Sequence, residues 1–165
     1  MTVTTLRLKA ELATPTAIAP YGTLITPGED GTPFGAGDAA LDLGQGTPRL
    51  YIMRLNQKPL LVRGITRHSR VTQCLASTGG QDWFVCLAAP LDPGAPEQPD
   101  PARIACFRIG GGVALALKRG TWHAGPFFTE PSMDFLNLEL SDTNETDHHK
   151  VRLDQVFGTV IEILP

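Results

Sequence analysis

Residues 112–128 read GVALALKRGTWHAGPFF. A glycine turn leads into an apolar strand, then a basic turn at Lys118-Arg119-Gly120, then Trp122-His123 and a second turn. Two cationic groups, an indole and an imidazole therefore fall within six residues, directly after a strand that reads as core. Loops carried on a rigid scaffold are where binding chemistry concentrates. The same letters also describe a plain basic turn followed by a strand with a half-buried tryptophan, so the surrounding chain has to decide.

Working outward, strands are expected over 4–8, 23–25, 50–55, 60–63, 71–77, 82–88, 102–109, 113–117, 121–123 and 135–140, with one or two more in 155–163. Thr14 before Pro15 reads as a helix N-cap with proline at the first helical position, where a missing N–H costs nothing. Pro20-Tyr21-Gly22 ends that helix within a few residues. Thr78-Gly79-Gly80-Gln81 reads as a hairpin turn. With a two-residue loop, Gln73 faces Cys86 and Leu75 faces Phe84 across the ladder. Residues 27–48 are rich in Gly, Pro, Asp and Thr without a sustained period and read as a flexible surface excursion or a lid. Residues 91–101 form a proline-rich connection. Short strands at roughly ten-residue intervals with turn signals between them indicate an all-β sandwich or barrel with one or two short helices. The run Trp83-Phe84-Val85-Cys86-Leu87 is apolar on both faces, which calls for cover on two sides, by a second sheet or by a partner subunit.

The chain has 165 residues, enough for one domain spanning 1–165 with a real core. Fourteen prolines and seventeen glycines suit many short strands. A net charge of −3 with no basic block gives no electrostatic footprint for nucleic acid. The one local concentration, Arg63, Arg67 and Arg70, reads either as a hold for a small carboxylate or as a solvated strand face. No stretch has the roughly 18–20 apolar residues of a membrane span, and no secretory signal is recognisable, so a cytoplasmic location is expected. Cys74, Cys86 and Cys106 lack CxxC spacing and read as small buried hydrophobes in a reducing compartment. A Cys74–Cys86 bridge is disfavoured by a two-residue turn at Gly79-Gly80 and permitted by a three-residue one. Asp82 reads as a turn residue.

Two spaced motifs sharpen the fold. His68-x-Arg70, Gln73 and, after six intervening residues, Gly80 follow the frame of the first cupin motif with a slightly short gap. Gly112, five residues, Lys118-x-Gly120, two residues and His123 follow the second. The chain thus resembles a cupin-type jelly-roll β-barrel, whose corner glycines supply positive φ or close backbone approach. The ligand positions depart from a metal cupin. Arginine does not ligate a divalent cation, and an amide is a weak neutral ligand in place of a carboxylate. No cofactor is expected; a divalent metal, disfavoured, would have to use His68, Gln73 and His123. His148-His149 adds a ligand only if it folds over the mouth, and otherwise reads as a solvated turn.

Tyr21-Gly22, Arg67-His68 with Thr72-Gln73, Arg119-Gly120-Thr121-Trp122-His123 and Met133-Asp134-Phe135 together resemble the ureidoglycolate lyase family, formerly called ureidoglycolate hydrolases. The likeness runs loosely from Ala19 to about Leu140. Residues 118–126 and 133–149 look nearer to an uncharacterised plant and cyanobacterial branch. In the bacterial lyases histidines are expected where this chain has Lys118 and Ala124. The resemblance implies a carbon–nitrogen lyase of allantoin degradation that splits ureidoglycolate into glyoxylate and urea, in a homodimer.

That reaction needs a base for the hydroxyl proton, an acid for the departing nitrogen and an anchor for the carboxylate. His123 is the expected base and His68 the second proton carrier. Arg70 is the expected carboxylate anchor, with Lys118 as a second positive charge. Gln73 would bond the urea end. Asn137 and Glu139 share one strand face, opposite Leu136, Leu138 and Leu140. If that face looks inward, Glu139 is an alternative acid or base and Asn137 a binding residue; if outward, both are ordinary surface. Trp122 alternates away from His123 and is placed at the core or rim of the substrate site. The alternatives are a non-catalytic cupin that binds a small anionic metabolite through Arg70 and Lys118, and a metal-dependent cupin enzyme.

Overall fold

The computed structural model describes residues 2–90 and 98–165; most of the proline-rich connection expected at 91–101 lies outside them. Three sheets form three layers. The central sheet runs, in spatial order, β13 (His149–Arg152), β6 (Gly64–Arg67), β11 (Trp122–Phe127), β8 (Trp83–Ala88), β9 (Ala105–Ile109) and β2 (Glu11–Leu12). On one side lies a five-stranded sheet, β3 (Gly22–Ile25), β10 (Ala114–Leu117), β7 (Cys74–Ser77), β12 (Ser132–Leu140) and β4 (Pro48–Asn56). On the other lies a small sheet in which β14 (Thr159–Leu164) pairs between β1 (Thr4–Lys9) and β5 (Leu61–Val62). The helices are α1 (Pro15–Ile18), α2 (Thr143–Thr146) and α3 (Leu153–Val156), each four residues long. As expected from the sequence, Thr14 caps α1 by accepting the Ala17 N–H, with Pro15 just inside. The architecture is the expected all-β one, with three short α-helices where one or two were expected.

β8 shows why the layers are three. All six of its residues are buried. Phe84, Cys86 and Ala88 join a core shared with Trp122, Val62 and Ile161, towards the small sheet. Trp83, Val85 and Leu87 join a second core with Leu75, Leu115 and Phe135, towards the five-stranded sheet. A strand apolar on both faces thus finds both covers within its own chain, and that pattern needs no second subunit.

The same demand overturns the expected hairpin. β7 and β8 are consecutive but lie in different sheets: β7 pairs with β10 and β12, and β8 with β9 and β11. Leu75 faces Leu115 and Asn137 rather than Phe84. Residues 78–82 are a corner that carries the chain across the core, with Gly80 at φ +76° and the Ser77 hydroxyl donating to the Gln81 carbonyl. Gly120 also uses positive φ (+80°), whereas Gly112 has neither a positive φ nor any close neighbour, so its motif position carries no conformational demand here.

The cysteines are a second correction. Register on β8 and β9 sets Cys86 directly opposite Cys106, and the two form a buried disulfide. Only Cys74 is a free thiol among the described residues. The sequence pattern predicts strands over 82–88 and 102–109, but neither their pairing nor the register that aligns the sulfurs.

Residues 27–48 hold no regular element before β4 begins at Pro48. The excursion is tied down at Asp42, whose carbonyl accepts the Thr72 N–H, whose N–H donates to the Thr72 hydroxyl, and whose carboxylate takes Arg119 at 2.7 Å. It runs against the outer face of the five-stranded sheet, where Thr32, Phe34, Asp38, Ala39 and Leu41 line a groove. It is therefore no lid over the polar cavity described next. No helix among the described residues is long and apolar enough to cross a membrane.

Candidate functional site

A polar cavity of about 330 Å³ lies between the central and five-stranded sheets. Strand alternation supplies its walls. On β12, Asn137 and Glu139 point inward and are 2% and 1% exposed, which settles the direction that alternation alone left open. β4 contributes Tyr51, Met53 and Leu55, and β7 contributes Leu75 with Gln73 just before it. Across from them stand Thr66 of β6, His123 of β11 and Lys150 of β13. Asn144 of α2 and, from connections, His68, His148 and Lys58 also line it.

The two histidines singled out from sequence do meet. The rings of His68 and His123 have centroids 5.0 Å apart, and both residues are buried. His148 joins them at 5.6 Å from His68, so the 148–149 pair is solvated but not a turn: His148 reaches the cavity and His149 opens β13, its ring 5.5 Å from Trp122.

The loop bearing His68 is clamped by Asp147, whose carboxylate accepts the N–H groups of Ser69 and Arg70 and whose carbonyl lies 2.6 Å from His68 Nδ1. His123 Nδ1 faces the Thr121 carbonyl at 3.3 Å. A carbonyl only accepts, so on each ring Nδ1 carries the proton and, in the neutral ring, Nε2 keeps the lone pair. Burial, reinforced by charge on His68 and His148 and only partly offset by the Thr121 carbonyl, pushes the pKa of His123 down to about 3. His148 is also lowered, by desolvation first and then by His68 and Lys150.

Opposite the rings is an amide–carboxylate network. Glu139 accepts from Asn144 Nδ2 at 3.1 Å and Asn137 Nδ2 at 3.3 Å, and Arg49 lies 3.7 Å away. Asn137 also donates to the Tyr51 hydroxyl, and Gln73 Nε2 donates to Asn137 Oδ1 at 3.2 Å. Gln73 Oε1 is buried with no hydrogen-bond partner among the described residues. Two imidazoles with Nδ1 fixed by carbonyls are suited to metal ligation. However, no three His, Cys, Asp or Glu side chains converge as a metal-binding group among the described residues.

Three expected binding residues lie elsewhere. Arg70 turns to Asp142, 2.9 Å away, and to the Thr146 hydroxyl, fastening its loop to α2. Lys118 donates to the Ala19 carbonyl at 2.7 Å, outside the cavity. Trp122 is fully buried in the core on the far side of the central sheet, beneath the Arg67 guanidinium at 4.9 Å. Alternation that turns His123 into the cavity turns its neighbour out of it. Nor do Arg63, Arg67 and Arg70 converge, since Arg63 faces Asp154. Sequence reasoning missed Tyr51, Lys58, Asn144 and Lys150. Only Tyr51 had a usable signal, its place on the same alternating face as Met53 and Leu55.

A family model described as ureidoglycolate lyase matches residues 5–161. No curated protein matches the chain. Among solved structures it is similar to a variant of oxalate decarboxylase from Bacillus subtilis, at 13% identity and TM-score 0.42, covering 67% of this chain and 25% of that one. It is also similar to vicilin from Corylus avellana (hazelnut), at 14% identity and TM-score 0.40, covering 77% of this chain and 39% of that one. The chain thus spans well under half the length of these structures.

Proposed function

The chain belongs to the ureidoglycolate lyase family, and from that premise we propose that it cleaves ureidoglycolate, or a closely related small carbinolamine acid, to glyoxylate and urea by acid–base catalysis. The observation that carries this reading is the pair of buried imidazoles, His68 and His123, 5.0 Å apart in a small polar cavity.

Two proton transfers are needed. His123, held neutral by burial and by charge on its neighbours, accepts the hydroxyl proton at Nε2. As the oxygen becomes a carbonyl, the C–N bond breaks and its electron pair passes to the ureido nitrogen. That nitrogen takes a proton from the His68 imidazolium, whose Nδ1–H is already committed to the Asp147 carbonyl. Proton exchange between the rings or with water restores the starting state. A base held near pKa 3 is weak in the empty cavity, but an anionic substrate beside it favours the imidazolium and brings it closer to the working pH. Glu139, across the cavity, is the alternative proton carrier. Gln73 and Asn137 offer amide groups to the urea end.

The test is incubation of purified protein with ureidoglycolate at neutral pH against a protein-free blank, with glyoxylate and urea both quantified. Equal enzyme-dependent release of the two is expected. Release no faster than the blank overturns the reading.

A further inference from the structure

We propose that Lys58 and Lys150 form an anion-binding subsite at the mouth of the cavity that takes the carboxylate of a small acid, the role that Arg70 and Lys118 were expected to fill. The inference rests on the lyase reading for the identity of the acid, but not for the site itself.

Three observations carry it. The first is placement. His123 and Lys150 both pair with Thr66, from opposite sides of β6, so the three form one row across neighbouring strands and project to the same face. Lys150 stands two strands from the imidazole, about 10 Å along the sheet, a gap that a small acid bridges with a hydrogen bond at each end. Lys58, on the connection after β4, lines the same cavity with its Nζ 4.3 Å from the Phe127 ring centroid. The second is partnership. Arg49, Arg54, Arg70, Arg108 and Arg119 each have a carboxylate within ion-pair distance. Among the described residues neither Lys58 nor Lys150 has an ion-pair or hydrogen-bond partner. The third is mutual repulsion. Lys58 is pulled below the usual lysine range, first because its ammonium group is withdrawn from water and then because Lys150 is near. An anion seated between the two relieves both effects. Two unpaired ammonium groups at a rim also draw small anions toward the imidazoles behind them.

The probe is oxamate, an inert acid that carries a carboxylate beside an amide, titrated into the full chain by calorimetry. Lys58→Met and Lys150→Met keep most of the side-chain bulk and remove the charge. Each is expected to weaken oxamate binding ~10-fold or more, the size of a lost charge-assisted hydrogen bond. Arginine at either position is expected to restore part of the affinity. For ureidoglycolate the same variants should raise KM far more than they lower kcat. The far-ultraviolet circular dichroism of each variant checks that it is folded. Failure of the wild type to bind oxamate, or equal binding by wild type and both folded methionine variants, overturns the subsite. Lysine-dependent oxamate binding without turnover removes the lyase reading and leaves the subsite standing. Turnover with KM unchanged in both variants does the reverse.

Discussion

The two faces of the five-stranded sheet are built from the same strands and differ in everything that matters for chemistry. Outward, Leu50 of β4, Leu136 and Leu138 of β12 and Cys74 and Ala76 of β7 line an apolar groove of about 570 Å³. Inward, Tyr51 and Met53, Asn137 and Glu139, and Leu75 line the polar cavity of about 330 Å³. Adjacent residues on each strand belong to opposite worlds because strand side chains alternate with period two. The groove is larger, yet among the described residues that line it only Asp38 and Cys74 are titratable, and burial pushes the Cys74 thiol up to about 11, so it stays protonated at neutral pH. The cavity holds three imidazoles, a carboxylate and two ammonium groups. Room for a ligand is thus a poorer guide to a reaction site than which proton carriers face it.

The largest effect that bears on this contrast should come from His123. His123→Gln keeps polarity and approximate size but removes the base, and glyoxylate release is expected to fall by ~10²–10⁴-fold with an unchanged circular dichroism spectrum. Activity within about threefold of wild type would move the site away from this cavity.

The same ring sets an acid limit on stability. His123 has a folded-state pKa of about 3 and an unfolded one near 6.5. Between those values the unfolded chain binds a proton that the native state refuses, so stability falls as pH drops through the window and the loss levels off below about 3. Above pH 6.5 the group contributes nothing. The groups sharing the cavity with it are His68, His148, Glu139, Lys58 and Lys150. His148, also depressed, adds in the same direction. Asp42, Asp134, Asp142 and Asp154, held low by arginines, act only below about pH 4. Urea denaturation from pH 7 to 4 should therefore show a slope that His123→Gln makes shallower; an equal slope in both proteins contradicts the depressed value.

Much of this was legible in the sequence, and the reasons for the rest are physical. Most strand positions, the Thr14 cap and the meeting of His68 with His123 follow from turn chemistry and motif spacing, whereas β2, β6 and β13 carry no such signal. Whether Glu139 faces in or out is a register question, and one residue of slip would exchange it with Leu138. The Cys86–Cys106 pairing and the crossing of 78–82 between sheets depend on which strands are neighbours. Arg70 and Lys118 had the right charge, but the backbone carbonyl at Ala19 and the carboxylate at Asp142 claim them first. Lys58 and Lys150 lie 92 residues apart in a chain of ordinary charge, and only the folded sheet makes them neighbours of one site.

A smaller effect is expected from the far side of the central sheet. The disulfide closes a separation of 20 residues between β8 and β9, worth about 3 kcal/mol by loop closure. Its sulfurs lie in the core towards the small sheet rather than in the cavity wall. Cys106→Ala should accordingly lower the urea midpoint while kcat and KM stay near wild type. Parallel loss of turnover at a temperature where the variant is fully folded would tie that core to the cavity.

The smallest effect tests the contrast most directly. Leu136 is 40% exposed on the groove side and sits next to Asn137, which is buried on the cavity side. Leu136→Ser removes apolar surface that water already reaches, so stability should move by less than about 1 kcal/mol. Because the β12 register with β4 and β7 is held by its backbone ladder and by Phe135 and Glu139 within, turnover should stay within about twofold. Asn137→Leu, one residue along, sets an apolar side chain of similar size at a buried position of the polar cavity. It breaks the bonds to Tyr51, Gln73 and Glu139, and should cost turnover at least tenfold. If the two substitutions act alike, alternation is not what separates the faces, and the assignment of chemistry to the inner one fails.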